Sequence, residues 1–482
     1  MVKRFFKDSA IYGFGKFLVY GIGFFLLPIY THVFPPAEFG VVDILNNNVA
    51  RLALVIVALE IAQAVFRFVP ESQPGLERRA YSSTALWFSM IAYAIFVAIG
   101  WIGADTFSQL ILRETGRQDV FRVALLMIWA NGIFNQLQNQ LRLQIKSKQY
   151  TLVSVVDTVI SLGLTILFIV VLKTGIIGIF WGQLLGLLVG GVVAFYFTRE
   201  DFGLIFDWPK FKEMLHFSLP LVPSSVGAMV LLYVDRVAIN TLMTITDVGI
   251  FGAGDRIASI VTLLMFGFQV SMMPLVYQHY QEPSTPRNLA RTFRYFVAGA
   301  LLMILGLSLF APELLALLTT PRYYGAAIVV PLLVSESVIS GMYIFAPGLG
   351  IAKRTGVIAV INIFGAVLNI ILNLLLIPIF GIGGAALATL ISATTVFSTF
   401  MIFSQRNYPV PHAWRQLGFA ILIAALLVIV GVQFHLPLLP GIVLKLVLCA
   451  LALGLFFGIG LVEIGDMRLA WQSIRRVRIA AR

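Results

Sequence analysis

The sequence is poor in charged side chains and almost lacks cysteine. Charged residues make up 12% of its 482 positions, hydrophobic residues make up 59%, and the mean hydropathy is +0.94. A soluble globular domain needs a more polar surface than this, so that class is excluded. Cys449 is the single cysteine, which excludes an intrachain disulfide and a thiolate metal site. The five histidines are scattered, so we expect no bound metal and no cofactor.

Apolar runs of about 20 residues, the length that crosses a bilayer, recur along the whole chain. The connections between them are short, and none is large enough for an extramembrane domain. We therefore predict an all-α polytopic membrane protein with fourteen transmembrane helices. The predicted helices are 9–31, 40–68, 80–104, 119–141, 150–172, 175–197, 213–241, 247–278, 289–311, 323–350, 356–379, 382–404, 414–435 and 440–463.

The net charge of +12 is arranged as in membrane proteins, with basic residues in the short connections. This placement argues against a nucleic-acid partner. If the N terminus is inside, the outward connections contain only four basic residues, and the positive-inside rule then puts both termini in the cytoplasm. These four are Arg113, Arg117, Lys173 and Arg322. The tail Met467–Arg482 is basic and amphipathic, and we predict that it lies on anionic membrane lipids.

An internal repeat relates the two halves of the chain. A shift of 209 positions places the second predicted helix on the eighth, with Gly40 on Gly249 and Asn46 on Asp255. Each repeat contains six helices, an even number, so both repeats enter the membrane from the same side. We predict two parallel six-helix bundles and two extra C-terminal helices, with boundaries at 1–205, 206–410 and 411–482.

The sixth predicted helix carries small residues at every fourth position, on one face. Small residues at this spacing allow two helix backbones to approach closely. We therefore predict close packing of this helix against a neighbour along its stripe of Gly178, Gly182, Gly186 and Gly190.

Four cations within or near predicted helices are candidates for function. An ionised side chain deep in hydrocarbon costs roughly 3 kcal/mol, so it is retained where it faces a polar cavity or a partner. Arg51 and Arg256 lie far from the ends of their helices, and we predict that they line a cavity. Lys16 and Arg236 lie nearer to helix ends, where snorkelling to the interface is an alternative.

Acidic and amide side chains accompany these cations. Asp43, Asn47 and Arg51 share one face of the second predicted helix. The acids are either charge partners of the cations or coupling sites for a proton or sodium ion, with Asp235 and Asp255 the leading candidates. The predicted charge-partner or coupling residues are Asp43, Glu60, Asp235 and Asp255.

A cavity with several guanidinium groups between two helix bundles suits an anionic substrate. Guanidinium forks match the oxygens of phosphate or pyrophosphate and lose less hydration than an ammonium group. The predicted substrate-binding residues are Lys16, Asn47, Arg51, Arg236 and Arg256.

Two stretches resemble a known family. These are LLYVDRVAINTLMTITDVGIFGAGDRIASIVTLLMFGFQVSMMPLV at 231–276 and SAIYGFGKFLVYGIGFFLLPIYTHVFPPAEFGVVDIL at 9–45. They resemble the polysaccharide transporter branch of the multidrug/oligosaccharidyl-lipid/polysaccharide flippase superfamily, and the resemblance covers the first twelve predicted helices.

The resemblance implies a flippase of the bacterial inner membrane, not an enzyme. Its substrate would be an undecaprenyl-pyrophosphate-linked oligosaccharide, as in O-antigen and lipopolysaccharide synthesis, moved by alternating access. A polysaccharide polymerase and a chain-length regulator would be its partners. Related lipid II flippases carry cavity arginines on helices one, two and eight, where Lys16, Arg51 and Arg256 stand here, with lysine in place of arginine on helix one.

Three other functions remain open from the sequence, one of which is a partner protein that does not itself transport. A cation-coupled drug or metabolite antiporter of the same superfamily has the same twelve-helix plan, but would need a cavity with more acid than base. A membrane polymerase or glycosyltransferase usually needs a large outward loop with paired acids, and no predicted loop provides one.

Overall fold

The computed structural model describes residues 26–352, 354–434 and 436–462, and every regular element among them is helical. Lys16 and the tail Met467–Arg482 lie outside the described residues, so the predictions for them stay predictions. The described chain divides into two compact units. The first consists of the residues up to Arg256 with Thr319–Tyr323 and Gly365–Ala388; the second consists of Ile257–Leu318, Tyr324–Phe364 and the residues from Thr389 onward. The predicted bundle boundaries at 205 and 410 stay a prediction.

The N-terminal part of the first unit is built from ten helices and the start of an eleventh, among the residues that the structure describes. They are α1 (26–33), α2 (Pro36–Ile56), α3 (Ile61–Phe68), α4 (Leu76–Ile102), α5 (Ala104–Leu112), α6 (Gln118–Leu143), α7 (Ser147–Val171), α8 (Ile177–Thr198), α9 (Trp208–Ser218), α10 (Val222–Leu242) and α11 (Ile245–His279). The predicted eighth helix, 247–278, is therefore confirmed as one continuous helix.

The rest of the described chain is also helical. Its elements are α12 (Thr285–Leu309), α13 (Ala311–Leu318), a 3-10 segment (Pro321–Ile328), α14 (Val330–Gly341), α15 (Gly348–Ile351), α16 (Thr355–Phe380), α17 (Ile382–Asn407), α18 (Trp414–Gln433) and α19 (Leu438–Gly458). The predicted tenth helix is broken, because the 3-10 segment meets the following helix at 53°.

Ten of the described helices are long and apolar enough to cross a membrane, or eleven if the bent pair forms one span. The chain is therefore a multi-pass, all-helical membrane protein. The exact number of fourteen transmembrane helices stays a prediction.

The predicted second helix, 40–68, is not continuous. A turn after α2 places Leu59 and Glu60 in the left-handed region, at φ 49° and 54°, and α3 begins after this turn. A left-handed residue with a side chain costs roughly 1–2 kcal/mol. The packing of α3 accounts for the turn, because its Ile61 and Val65 are buried in one hydrophobic cluster with Met214 of α9.

The predicted outward loop between the third and fourth helices contains a helix, α5. Its buried residues are Ala104, Ser108 and Leu112, spaced four apart on one face. This i, i+4 spacing is visible in the sequence. The helix was not predicted because it has only nine residues, too few to cross a membrane.

The glycine stripe of α8 packs against α7 as predicted. A Cβ atom on Gly182 would lie 2.6 Å from the backbone nitrogen of Thr165, and one on Gly186 would lie 2.7 Å from that of Ser161. No side chain fits at either position, so the two backbones are in direct contact.

A second close crossing joins α2 to α11 at Gly40 and Gly249. A Cβ atom on Gly40 would lie 2.1 Å from the carbonyl oxygen of Ile245, and one on Gly249 would lie 1.8 Å from that of Pro36. The two glycines that the repeat aligns are therefore also the two that allow their helices to touch. This crossing holds the acidic residues of α2 and α11 near each other.

Candidate functional site

The centre of the site is the guanidinium of Arg236 on α10, with only 5% of the residue exposed. Its Nε atom donates to Oδ2 of Asp43 on α2 at 2.5 Å, and Nη2 donates to Oδ2 of Asp255 on α11 at 2.6 Å. We call Asp43, Arg236 and Asp255 the Arg236 cluster. A buried cation needs such partners, because desolvation is otherwise too costly. Snorkelling, the alternative for Arg236, is therefore wrong.

Asp43 is the most buried member of the cluster, with 1% of its side chain exposed. Its second oxygen, Oδ1, accepts a hydrogen bond from Nδ2 of Asn47 at 2.7 Å. The prediction that Asp43 and Asn47 share a face of their helix is confirmed. Asn47 thus orients the carboxylate that holds Arg236.

Arg51 follows a π-helical segment of α2, Ile44–Val49. A π-turn inserts one residue, so the eight residues from Asp43 to Arg51 advance around the helix axis about as far as seven α-helical residues. Arg51 therefore stays close to the face of Asp43 and Asn47, as the sequence pattern indicates. Its guanidinium lies over the ring of Tyr233, 5.4 Å from the centroid.

The ring of Tyr233 on α10 contacts both guanidinium groups. The Arg236 guanidinium is 5.6 Å from the same centroid, and Nδ2 of Asn48 donates to the carbonyl oxygen of Tyr233 at 2.9 Å. Arg51 is exposed, and no carboxylate among the described residues lies within ion-pair distance of it. The two arginines thus differ: Arg236 is neutralised and buried, whereas Arg51 is exposed and contacts an aromatic face.

Arg256 is partly buried on α11, next to Asp255 in the chain. Adjacent residues on a helix do not face each other. The Oδ2 atom of Asp255 accepts from Arg236, a more distant residue. The charge of Arg256 interacts electrostatically with the side chain of Tyr30 on α1.

Asp235 is also buried, with 4% of the residue exposed. Its Oδ1 atom accepts a hydrogen bond from Nδ2 of Asn373 on α16 at 2.7 Å, and the same nitrogen lies 3.1 Å from Oδ1 of Asn369. The sequence interpretation missed both asparagines. Their i, i+4 spacing inside an apolar run was the available signal.

Glu60 does not join these residues. It lies at the left-handed turn between α2 and α3, at least four helical turns along the chain from Asp43. In the described parts of the chain, no group of three or more histidine, cysteine or acidic residues is arranged to hold a metal ion.

These observations define an all-helical, multi-pass membrane protein with a cluster of ion-paired side chains between three of its helices. The same fold occurs in a solved structure of the lipid II flippase MurJ in an inward closed conformation, with a TM-score of 0.69 and 15% identity over 93% of this chain and 99% of that one. It also occurs in an inward-facing multidrug resistance MATE family transporter of the MOP superfamily, with a TM-score of 0.64 and 15% identity over 81% of this chain and 94% of that one.

The chain belongs to the polysaccharide biosynthesis protein family, whose model matches residues 5–279. This confirms the family resemblance predicted from the sequence. One relative is the probable low-salt glycan biosynthesis flippase Agl15 of Haloferax volcanii, which is 24% identical over 297 residues. The alignment covers 60% of this chain and 61% of the relative, so the chain spans only part of the relative's length.

Proposed function

We propose that this protein is a flippase that moves a lipid-linked oligosaccharide across the membrane by alternating access. The observation that carries the proposal is Arg51, an exposed guanidinium on a membrane-spanning helix without a carboxylate partner among the described residues. Such a group is expensive in hydrocarbon unless it faces water or an anion. A phosphate or pyrophosphate linkage supplies that anion.

In this proposal the arginines have separate tasks. Arg51 and Arg256 bind the pyrophosphate, and Asn47 and Lys16 extend the polar lining toward the sugar. Arg236 holds α2, α10 and α11 together, because both of its donor edges already face carboxylates. The polyprenyl chain remains in the bilayer while the headgroup crosses. An inside-negative potential of 100 mV contributes about 2.3 kcal/mol per elementary charge to the outward movement of an anion.

The family membership supports a role in polysaccharide synthesis, and the names of Agl15 and MurJ support the flippase assignment. By extension, we propose undecaprenyl pyrophosphate as the lipid carrier and O-antigen or lipopolysaccharide precursors as the cargo. The location would be the bacterial inner membrane, with both termini cytoplasmic. A polysaccharide polymerase and a chain-length regulator would act next.

We also propose that a proton or sodium ion is the counter-ion for transport, with no other cofactor. Asp235 is the leading coupling residue, because it is buried and accepts a hydrogen bond from an amide. Asp43 and Asp255 are less suited, since both carboxylates already neutralise Arg236. Imposing a proton or a sodium gradient separately on proteoliposomes distinguishes the two ions.

Transport of a labelled substrate by the purified full chain tests the proposal. Proteoliposomes would carry a fluorescent polyprenyl-pyrophosphate-linked oligosaccharide, and dithionite added outside would bleach the molecules that reach the outer leaflet. We expect Arg51→Gln and Arg256→Ala to slow translocation by about tenfold or more, because each removes a charge-assisted contact worth roughly 1.5–3 kcal/mol. Arg256→Ala should also abolish glycan export in cells while the protein still inserts.

Arg142→Gln is the matched control, because Arg142 lies at the end of α6 with its guanidinium over Tyr150. It should transport at the wild-type rate. Wild-type rates in both site variants would refute the pyrophosphate assignment. Gradient-driven uptake of an organic cation, with no movement of the glycolipid, would instead establish the antiporter alternative, which shares the MATE fold.

A further inference from the structure

A second feature of the first unit, separate from the Arg236 cluster, is an apolar groove on the surface of α4 and α6. Its volume is about 500 Å³. The groove has a floor of small residues, Ala94 and Ala98, and walls formed by Trp101, Leu126 and Trp129. Two alanines four residues apart leave the space between larger side chains that makes this a groove rather than a flat helix face.

The surroundings of the groove are apolar and exposed, as a helix face that contacts hydrocarbon is. Only 28% of the most apolar stretch of α4 is buried within the protein. Three isoleucines of α4 beside the groove, Ile95, Ile99 and Ile102, are 55%, 58% and 90% exposed. A membrane-spanning helix exposes such residues to acyl chains. A groove with an apolar floor and aromatic walls accommodates one lipid chain.

One end of the groove carries charge. Arg122 lies four residues before Leu126 and seven before Trp129, so it shares their face of α6. Its guanidinium lies 5.6 Å from the ring centroid of Trp101, and Nη1 donates to Oδ1 of Asp119 at 3.3 Å. The Nε atom of Arg122 is buried and has no hydrogen-bond acceptor among the described residues. The groove therefore ends at a guanidinium side chain that is partly exposed.

The charge at this end is balanced, not simply positive. The Asp119 side chain is 74% exposed beside the 33% exposed Arg122 side chain. A purely anionic headgroup would meet Asp119 as well as Arg122 and be repelled by it. A headgroup that carries a phosphate and a primary ammonium matches both side chains: the phosphate accepts from Arg122, and the ammonium donates to Asp119.

We propose that this groove binds one phospholipid with an ethanolamine headgroup, with an acyl chain against Ala94 and Ala98 and the headgroup between Arg122 and Asp119. A choline headgroup fits less well, because its quaternary ammonium has no N–H to donate to Asp119. A glycerol headgroup lacks the cation. The site selects a lipid by chain and headgroup together.

Fluorescence quenching in nanodiscs tests the site with the intact protein. The full chain is placed in phosphatidylcholine discs that contain a rising fraction of phosphatidylethanolamine, phosphatidylglycerol or phosphatidylcholine with dibrominated acyl chains. Trp101 and Trp129 line the groove and report contact with bromine. We expect quenching by the ethanolamine lipid to saturate at a mole fraction roughly threefold lower than for the other two lipids. The preference is small because an exposed ion pair contributes little binding free energy.

Three variants separate the parts of the site. Asp119→Asn should reduce the preference for ethanolamine to the level of choline, and Arg122→Gln should weaken binding of all three lipids. Ala98→Leu fills the groove at an exposed position, and it should remove the saturable component while the protein remains folded. Arg142→Gln, at the other end of α6, is the control and should behave as wild type.

Quenching that rises linearly and equally with all three lipids would overturn the proposal, because it indicates only the general lipid shell. A preference for phosphatidylglycerol, or an ethanolamine preference that survives Asp119→Asn, would overturn the assigned headgroup. Unchanged saturation in Ala98→Leu would overturn the assigned groove.

Discussion

Arg236 and Asp43 are 193 positions apart in the chain and form a hydrogen-bonded ion pair between α10 and the membrane-spanning helix α2, with Nε and Oδ2 2.5 Å apart. The remaining edge of the guanidinium faces Asp255. One side chain of α10 therefore ties α2 to α11, next to the glycine crossing of those helices. A buried pair of this kind contributes little net stability, but the loss of one partner leaves an uncompensated charge.

Replacement of the central cation should destabilise the protein strongly. We expect Arg236→Leu to cost about 3–5 kcal/mol, because Asp43 would remain buried without its partner. Thermal unfolding in detergent, followed by circular dichroism, measures the loss. Arg51→Leu is the matched control, since the exposed Arg51 has no carboxylate partner among the described residues, and it should unfold near the wild-type temperature.

A second substitution should restore part of this stability. Asp43→Leu added to Arg236→Leu removes the uncompensated charge, so the double variant should unfold at a higher temperature than Arg236→Leu alone. A double variant that is less stable than both single variants would contradict the ion-pair explanation.

The sequence predicted the class of fold, the family and all three residues of the Arg236 cluster, but not which cation binds which acid. Charges inside apolar helices are visible in any single sequence, so Asp43, Arg236 and Asp255 were recognisable as a set. Their pairing depends on contacts between helices far apart in the chain. Asp255 is adjacent to Arg256 in the chain, yet its Oδ2 atom accepts a hydrogen bond from Arg236.

Two local features of α2 had no recognisable signal. The turn at Leu59 and Glu60 contains no glycine, proline or asparagine, so the left-handed conformation is imposed by the packing of α3. The π-helical segment before Arg51 is equally silent in the sequence, and it keeps Arg51 close to the face of Asp43. In contrast, the glycine stripe of α8 correctly predicted close packing against another helix, because small residues at i, i+4 form a face on which two backbones can touch.

The crossing of α2 and α11 should not tolerate a methyl group. Gly40→Ala and Gly249→Ala would place Cβ atoms 2.1 Å and 1.8 Å from backbone carbonyl oxygens, and backbone cannot move aside as a side chain can. We expect each variant to lose the proposed transport activity and to be less stable by roughly 1–3 kcal/mol, as for overpacked cores, so that it unfolds at a lower temperature.

Gly163→Ala on α7 is the control for the crossing. A Cβ atom there meets nothing within 4 Å, so the variant should be as stable as wild type or more stable by up to about 1 kcal/mol. Equal effects of all three substitutions would show that helix propensity, not contact between the backbones, determines the outcome.

Tyr233 should act as a positioning residue for Arg51. Its ring lies against the guanidinium groups of both Arg51 and Arg236, and cation–π contacts of this kind contribute roughly 0.5–2 kcal/mol. Tyr233→Phe keeps the ring and should transport normally, whereas Tyr233→Leu should raise the substrate concentration needed for half-maximal flipping about threefold or more. A Leu variant that changes only the maximal rate would contradict a positioning role.

His412, which lies in the second unit and outside the Arg236 cluster, should make the stability of the protein depend on pH. The ring lies in the connection between α17 and α18, packed against Phe293 and Trp414 at centroid distances of 4.8 Å and 5.0 Å. Neither ring nitrogen has a hydrogen-bond partner among the described residues. Burial in these aromatic surroundings lowers the pKa of His412 from 6.5 to about 4.

A lowered pKa means that the unfolded chain takes up the proton first. The stability of the protein should therefore be intact above about pH 6.5, fall as the pH drops toward 4, and fall no further below that from this group, with a total loss of up to about 3 kcal/mol. His412→Phe keeps an aromatic ring without the titrating group. Thermal midpoints measured at pH 7.5 and 4.5 should thus differ less in His412→Phe than in wild type, because only the wild-type ring must be protonated on unfolding. The same difference in both proteins would show that this histidine already carries its charge in the folded state.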